Sequence, residues 1–404
     1  MPRASETEGV HTPRAWACAR ASAIGSSSAM ACFTERLGTG SAFIWVLRRA
    51  PARGAIRVHV AESVEVRHVG DVNDGGMLGV GVAEGNLVVR GLGLALDPSR
   101  PAGAAFVSHA HAAGAECSGP VLASRETAGL ARASGWRTLG WGETIEVPVD
   151  GGQGGGSARL SLAPAGHVLG GAQLVVDHAR GRLVYAGDWC GHPDPTVTAG
   201  AVVACDELIV GAPFGLPIFR FDPRVEALAA LAEWCAGRID AGRTPVVIAG
   251  TPGNAQAIVH ALSARRLSVV ADERVRADCE AYEALGVAAG RPGALDGGVP
   301  EGAVAVVSPA ARATSMRGRK GVDVAYASAW ALLDAAVDQR RADASFVVAD
   351  RADHDALVAL VRASGARRVI VTRGEAAAFA HVLRREGFDA EAIPLPAIDD
   401  RGAS

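Results

Sequence analysis

Three histidines and one aspartate in this chain stand where strands are expected to end. Ala105-Phe-Val-Ser108 runs into His109-Ala-His111, Ser161-Leu-Ala-Pro164 into Ala165-Gly-His167, and Arg182-Leu-Val-Tyr185 into Ala186-Gly-Asp188. Side chains two apart on an extended segment point the same way, roughly 6–7 Å apart, so His109 and His111 can reach one ion. Gly166 frees the backbone to turn before His167. Neutral imidazoles with a carboxylate are a ligand set for Zn²⁺, or less tightly for Mn²⁺ or Fe²⁺. Each fragment alone is weak, because an HxH pair or a Gly-Asp turn arises often for other reasons. Their order and common place at strand ends single out three of the eleven histidines. The other eight read as surface or helix residues.

Positioning such a site requires strands that deliver loops to one edge. Short β-branched runs predict strands at 86–90, 105–108, 157–162, 173–176, 182–185, 207–210, 245–249, 303–307, 345–348 and 368–371. Ala-rich stretches predict helices at 126–133, 223–236, 254–265, 272–285, 327–339, 353–363 and 376–386. His178-Ala-Arg-Gly181 has the length of a tight hairpin turn. From 221 to about 345 strands alternate with helices, as in βαβ units. Loops at the carboxyl ends of strands in such layered α/β folds are where sites are built.

Composition bounds the rest. The chain has 404 residues, enough for two domains, and 49% of them are hydrophobic. Forty basic residues face 43 acidic ones, so any surface that holds phosphate must be local. Lys320 is the single lysine, and the 50 glycines and abundant alanine point to a coding bias rather than a functional excess of arginine. Seven scattered cysteines without a CxxC pair fit neither a disulfide framework nor a cysteine zinc site, and suggest a reducing compartment. No apolar run approaches the roughly 20 residues of a spanning helix, so a cytoplasmic protein with no membrane partner is expected. Residues 1–76 lack sustained periodicity and read as a disordered extension or as sequence upstream of a start at Met77; Glu6, Glu8 and Glu35 argue against a transit peptide.

The segments Ser108-His-Ala-His111, Pro164-Ala-Gly-His-Val-Leu-Gly-Gly-Ala-Gln173 and Val184-Tyr-Ala-Gly-Asp188 resemble the metallo-β-lactamase superfamily. Gly-His-Val-Leu-Gly-Gly-Ala-Gln resembles its nucleic-acid-processing β-CASP branch. His192-Pro-Asp-Pro-Thr196 and Phe214-Gly-Leu-Pro-Ile-Phe-Arg220 are similar to bacterial ligase-associated DNA exonucleases. The likeness spans about 77–396. It implies an αββα metallo-β-lactamase sandwich from 77–220 and 346–400, with an α/β, β-CASP-like cap of 221–345 inserted. It also implies a role on DNA rather than RNA in repair, beside a ligase and a helicase.

The departures fall on one side of the site. The family's HxHxDH motif here reads His109-Ala-His111-Ala-Ala113-Gly114; the acid expected near Gly211 is absent; Ser-Asp-His becomes Ala349-Asp350-Arg351; and Thr-His-Gly becomes Thr372-Arg373-Gly374. By the resemblance, His109, His111, His167 and Asp188 would hold one Zn²⁺ or Mn²⁺, while the second metal site is lost. Asp188 and Asp350 would be the catalytic carboxylates, Asp350 orienting a ligand or water, and Arg351 and Arg373 would contact phosphate. Guanidinium holds phosphate well but neither activates water nor gives up a proton at neutral pH. Two alternatives stay open: a catalytically inactive binder of nucleic acid or a partner, and a mononuclear zinc hydrolase of a small ester or lactam. Two further stretches have lesser readings. Ala249-Gly-Thr-Pro-Gly-Asn254 reads as a strand–helix turn without the GK[ST] of a phosphate loop, and Met316-Arg-Gly-Arg-Lys-Gly321 as either a nucleic-acid contact or a solvated loop.

Overall fold

The computed structural model describes residues 78–149, 156–296, 298–311, 321–393 and 395, and the backbone of 30–37, 41–49 and 56–61. The last three segments are strands, β1 (Met30–Leu37), β2 (Ser41–Arg49) and β3 (Ile56–Ala61), in an antiparallel meander. They lie in a stretch whose composition predicted no periodic element. The runs Met30-Ala-Cys-Phe-Thr34 and Ala42-Phe-Ile-Trp-Val-Leu47 carry enough β-branched and aromatic residues to form strands. The rest of 1–76, the proposed start at Met77 and residues 312–320 of the basic run lie outside the described residues. The meander belongs, with Leu332–Gln339, to one compact unit; the remaining described residues form another.

In that second unit the chain first lays down β4 (Val80–Ala83), β5 (Asn86–Val89), β6 (Leu94–Leu96), β7 (Ala104–Phe106), β8 (Val121–Ser124), α1 (Arg125–Leu130) and β9 (Arg137–Leu139). The six strands pair in sequence order, antiparallel up to β6 and parallel from there. A second sheet follows from β10 (Thr144–Pro148), β11 (Ser157–Pro164), β12 (Ala172–His178), β13 (Gly181–Gly187) and β14 (Glu207–Gly211). Its β12–β13 hairpin closes with His178 opposite Gly181, the tight turn read from the sequence. Along β11, Ala158, Leu160 and Leu162 are buried while Ser157 and Arg159 are exposed, the alternation of a half-buried strand.

Residues 221–345, where a cap is expected, comprise α2 (Arg224–Asp240), β15 (Thr244–Ala249), α3 (Asn254–Ala264), β16 (Ser268–Ala271), α4 (Glu273–Ala284), β17 (Gly293–Ala294), β18 (Ala303–Val307), β19 (Val322–Ala327), α5 (Asp334–Arg340) and β20 (Ala344–Phe346). Most of α5 belongs to the first unit. The six strands of this stretch are all parallel, in the order β17-β16-β18-β15-β19-β20. Every residue of β18 is buried, as expected for a sheet covered on both faces. The chain then returns with α6 (His354–Ser364), β21 (Arg368–Thr372), α7 (Ala376–Arg385) and β22 (Asp389–Ile393), which extend the second sheet as β14-β21-β22.

Two sheets therefore face each other over one core, where Leu87, Leu96, Phe106 and Leu122 meet Leu160, Leu174, Val176, Leu183, Tyr185 and Ile209. The opposite face of the second sheet, with Val184, Leu208, Val210 and Val371, is covered by Leu357 and Val361 of α6 and Phe379 and Leu383 of α7. The architecture is α/β, as the sequence predicts. One expected helix is shorter than its pattern: 327–339 becomes a 3₁₀ turn at Ala329–Leu332 followed by α5. Ser328 Oγ accepts the Trp330 N–H at 3.2 Å, a local bond that competes with helix entry at that point. No helix among the described residues is long and apolar enough to cross a membrane.

Candidate metal centre

His109 follows β7 in extended conformation, φ −160° and ψ 164°, as read from the sequence. The extension stops there. Ala110–Ala112 closes a 3₁₀ turn, with Ala112 N–H donating to the His109 carbonyl at 3.0 Å. His111 is therefore brought back by a turn rather than carried along a strand, and its ring lies 5.4 Å from that of His109. His167 arrives from β11. Gly166 has φ +76°, and a Cβ there would lie 2.0 Å from the Cys190 carbonyl oxygen, so only glycine permits the approach. His167 itself adopts φ +63°, a costly conformation for a side-chain-bearing residue, of the sort that gathers at functional sites. Its ring stands 4.8 Å from His109 and 5.2 Å from His111. One ligating nitrogen from each ring lies within 4.8 Å of the others, so the cluster can hold a metal ion.

Hydrogen-bond partners assign the protons of His109 and His111. Ser108 Oγ donates its single proton to Asp97 Oδ2 at 2.6 Å, so at 2.8 Å it accepts from His109 Nδ1. His111 Nε2 sits 3.0 Å from the Pro252 carbonyl, which can only accept. His167 Nδ1 faces the Asp350 carbonyl oxygen at 3.3 Å and its carboxylate at 3.6 Å. With His167 protonated on Nδ1, each ring directs its proton outward and its lone pair inward. His111 Nδ1 and His167 Nε2 then confront each other, both lone-pair nitrogens, at 3.1 Å. In that tautomer the two nitrogens repel unless a cation lies between them; in the other, His167 Nε2–H donates to His111 Nδ1. On a tetrahedral Zn²⁺ with bonds of about 2.0–2.1 Å, neighbouring ligands sit about 3.3 Å apart. An extra proton is a poor substitute, because burial, Arg351 and the other two rings hold His167 well below the usual imidazole range. The donor set and its outer partners fit a divalent metal.

Asp188 sits beside this cluster rather than in it. Its Oδ2 is 3.9 Å from His109 Nε2, while it accepts from Arg351 Nε at 3.0 Å; Oδ1 accepts from Arg373 Nη1 at 3.4 Å. Arg373 Nη2 reaches Asp97 Oδ2 at 3.2 Å, an oxygen that also accepts from Tyr185 Oη at 2.7 Å. Arg351 Nη1 donates to Asp350 Oδ1 at 3.4 Å. Arg351 and Arg373 are 4% and 7% exposed, so both guanidiniums, expected to meet phosphate, are turned inward onto carboxylates. Burial opposes ionisation of Asp188, but Arg351 and Arg373 outweigh it and hold the carboxyl well below its usual range. Three aspartates against two arginines leave one formal negative charge in excess beside the three imidazoles, a setting that attracts a cation.

The structure brings together all seven residues expected at the site and adds three. Asp97, Ser108 and the Pro252 carbonyl carry the outer hydrogen bonds. Asp97 ends the short run Leu94-Ala-Leu96; an acid closing an apolar triplet was the available signal. Gly211, where an acid was expected, lacks the Cβ that would stand 2.9 Å from Asp188 Oδ1. Arg373 has φ +60° and is followed by Gly374, whose Cβ would meet the Ala212 carbonyl oxygen at 2.5 Å. In the 249–254 turn, Gly253 N–H is taken by Gln256 Oε1 at 2.7 Å and Ala255 N–H by the Gly250 carbonyl at 2.8 Å.

No protein-family model matches the chain. It is 29% identical over 309 residues to a protein of Opitutus terrae (strain DSM 11246 / JCM 15787 / PB90-1) named a probable DNA ligase, covering 75% of this chain. The chain spans only 30% of that relative's length. A crystal structure of a protein of unknown function from Enterococcus faecalis V583 superposes with a TM-score of 0.47 and 12% identity, over 73% of this chain and 79% of the other, a likeness too slight to assign a fold.

Proposed function

We propose that the chain is a divergent metallo-β-lactamase-type protein of the β-CASP-like branch, which holds one Zn²⁺ (or Mn²⁺) at His109, His111 and His167 and through it engages the phosphodiesters of DNA. The observation that carries this reading is the cluster of three ring nitrogens within 4.8 Å of one another, with an acceptor behind each ring. A DNA context is supported by the likeness to the named ligase.

Three histidine ligands leave a tetrahedral ion one open position, the arrangement of catalytic rather than structural zinc. When bound, the ion supplies Lewis acidity toward a phosphodiester oxygen or an attacking water. The chain's own residues set limits on turnover. Asp188, held ionised by two guanidiniums, is a weak base. Arg351, on the segment beside His167, cannot protonate a leaving oxygen. Hydrolysis by this centre is therefore slow and metal-dependent. The inward turn of both arginines favours a second reading, in which DNA is held without being cut.

Purified protein should contain about one equivalent of zinc or manganese, and His167→Ala should remove it. A metal-free parent that is fully folded would overturn the proposal. Labelled single- and double-stranded DNA with added Mn²⁺ then separates the readings. Slow cleavage lost in His167→Ala supports the hydrolase; metal-dependent binding with no cleavage supports the holder.

A further inference from the structure

The Pro252 carbonyl that fixes the His111 ring belongs to the turn between β15 and α3, not to the two-sheet sandwich that supplies the histidines. That turn is itself bracketed. Thr251 Oγ1 donates to Asp278 Oδ2 of α4 at 2.8 Å. Gln256 Oε1 holds Gly253 N–H at 2.7 Å, while its Nε2 reaches the Val275 carbonyl at 3.3 Å, also on α4. One turn further along the same helix, Tyr282 Oη accepts from Leu169 N–H at 3.3 Å, in the loop that leaves His167. Thr251, Gln256, Asp278 and Tyr282 all have buried environments, and Val168 and Leu169 pack into the core around α3 and α4. Residues 278 and 282 lie four apart, on one face of a helix, so α4 reaches the Pro252 turn and the loop that leaves His167 at once.

We infer that Thr251, Asp278 and Tyr282 are positioning residues for the metal: α4 holds the Pro252 carbonyl against His111 and the 168–169 loop behind His167, so that cap placement sets metal affinity. This rests on the metal reading above. The chemistry is that of any outer partner of a ligating imidazole. An acceptor behind one ring nitrogen fixes which nitrogen carries the lone pair and where it points, and losing that partner typically weakens metal binding 10- to 100-fold. Here the acceptor is a main-chain oxygen, so its position can be altered only through the residues that hold it.

The experiment measures zinc affinity by competition with a chromophoric chelator in the parent, Thr251→Val, Thr251→Ser, Asp278→Asn and Tyr282→Phe, with thermal unfolding of each apo form. Thr251→Val and Asp278→Asn should weaken zinc binding by about 10-fold or more. Thr251→Ser, which keeps the hydroxyl, should stay within about twofold of the parent. Amide hydrogen exchange should slow at residues 250–256 when zinc is added, although that segment supplies no ligand. Variants that lower the melting temperature yet bind zinc as the parent does would overturn the inference while leaving the metal reading intact. Equal weakening in the serine and valine variants would likewise overturn it. A parent that binds no zinc would overturn both.

Discussion

At the residue scale, Asp188 is the side chain whose role differs most from the expected one. As a ligand, its loss should remove the ion; as the counter-charge of Arg351 and Arg373, its loss should chiefly destabilise the protein. The geometry favours the second, since both carboxylate oxygens accept from guanidiniums while the nearest ring nitrogen is 3.9 Å away. Removing one partner of a buried ion cluster costs about 3–5 kcal/mol, because the remaining charges stay buried. Asp188→Asn should therefore lower the urea-unfolding free energy by about 3 kcal/mol while retaining about one zinc at saturation. Zinc lost from a normally stable variant would restore Asp188 as a ligand. Gly211→Ala should act on the same carboxylate from behind. The new methyl would press on Asp188 Oδ1, and overpacking of this kind costs about 1–3 kcal/mol. The three histidines were legible because each follows a run that reads as a strand and one is prepared by glycine. Asp97 was not, since its short strand offers three apolar residues and no alternation. The inward turn of Arg351 and Arg373 was not legible either, because which charge a guanidinium meets is decided by chain segments that are 163 and 185 residues from Asp188.

At the scale of elements, the sequence pattern located the helices and ten of the 22 strands among the described residues, most of them within a residue or two. The strands β1, β2, β3, β10, β19 and β22 were missed although five to nine residues long, and the other missed strands are shorter. Strands of three or four residues such as β6, β8 and β9 are too short to show a period, and they exist because neighbours in the sheet complete their hydrogen bonds. The turn that returns His111 was read as extended because alternation alone cannot say where a strand stops. Helix ends were clearer, since side chains cap them. Asp353 precedes α6, and its Oδ1 accepts from Ala356 N–H at 2.9 Å. The same carboxylate accepts from Phe221 N–H at 3.0 Å, just before α2. Asp353→Ala should thus cost more than the roughly 1 kcal/mol of an ordinary cap, and Asp353→Ser, which caps but cannot serve both donors, should recover only part of it. Equal unfolding free energies for the two variants would show that the Phe221 bond contributes nothing. Gly166→Ala tests the element that presents His167. With φ +76° and a carbonyl 2.0 Å from the new Cβ, the loop cannot keep its path. Zinc affinity should fall even though no ligand or outer partner is removed.

At the scale of the whole molecule, charge decides how DNA could be met. The chain carries a formal −3, and surface arginines such as Arg125, Arg159, Arg220 and Arg362 face Glu143, Asp177, Asp355 and Glu386. Affinity for a polyanion must then come from few places, and the binding constant should change little with salt, with a logarithmic slope of about −0.9 for each phosphate neutralised on duplex DNA. The metal centre is one such place. Without the ion its buried groups carry one formal negative charge in excess and repel a phosphodiester; with a divalent cation the balance becomes one positive charge. Chelation should therefore weaken DNA binding by about tenfold or more, a difference of about 1.4 kcal/mol, and zinc should restore it. Fluorescence anisotropy with a labelled oligonucleotide reads this directly. The basic run supplies the competing explanation, and its removal separates the two. If Arg317→Gln, Arg319→Gln and Lys320→Gln together abolish binding while chelation leaves the parent's affinity unchanged, DNA is held by that run and the ion takes no part in it.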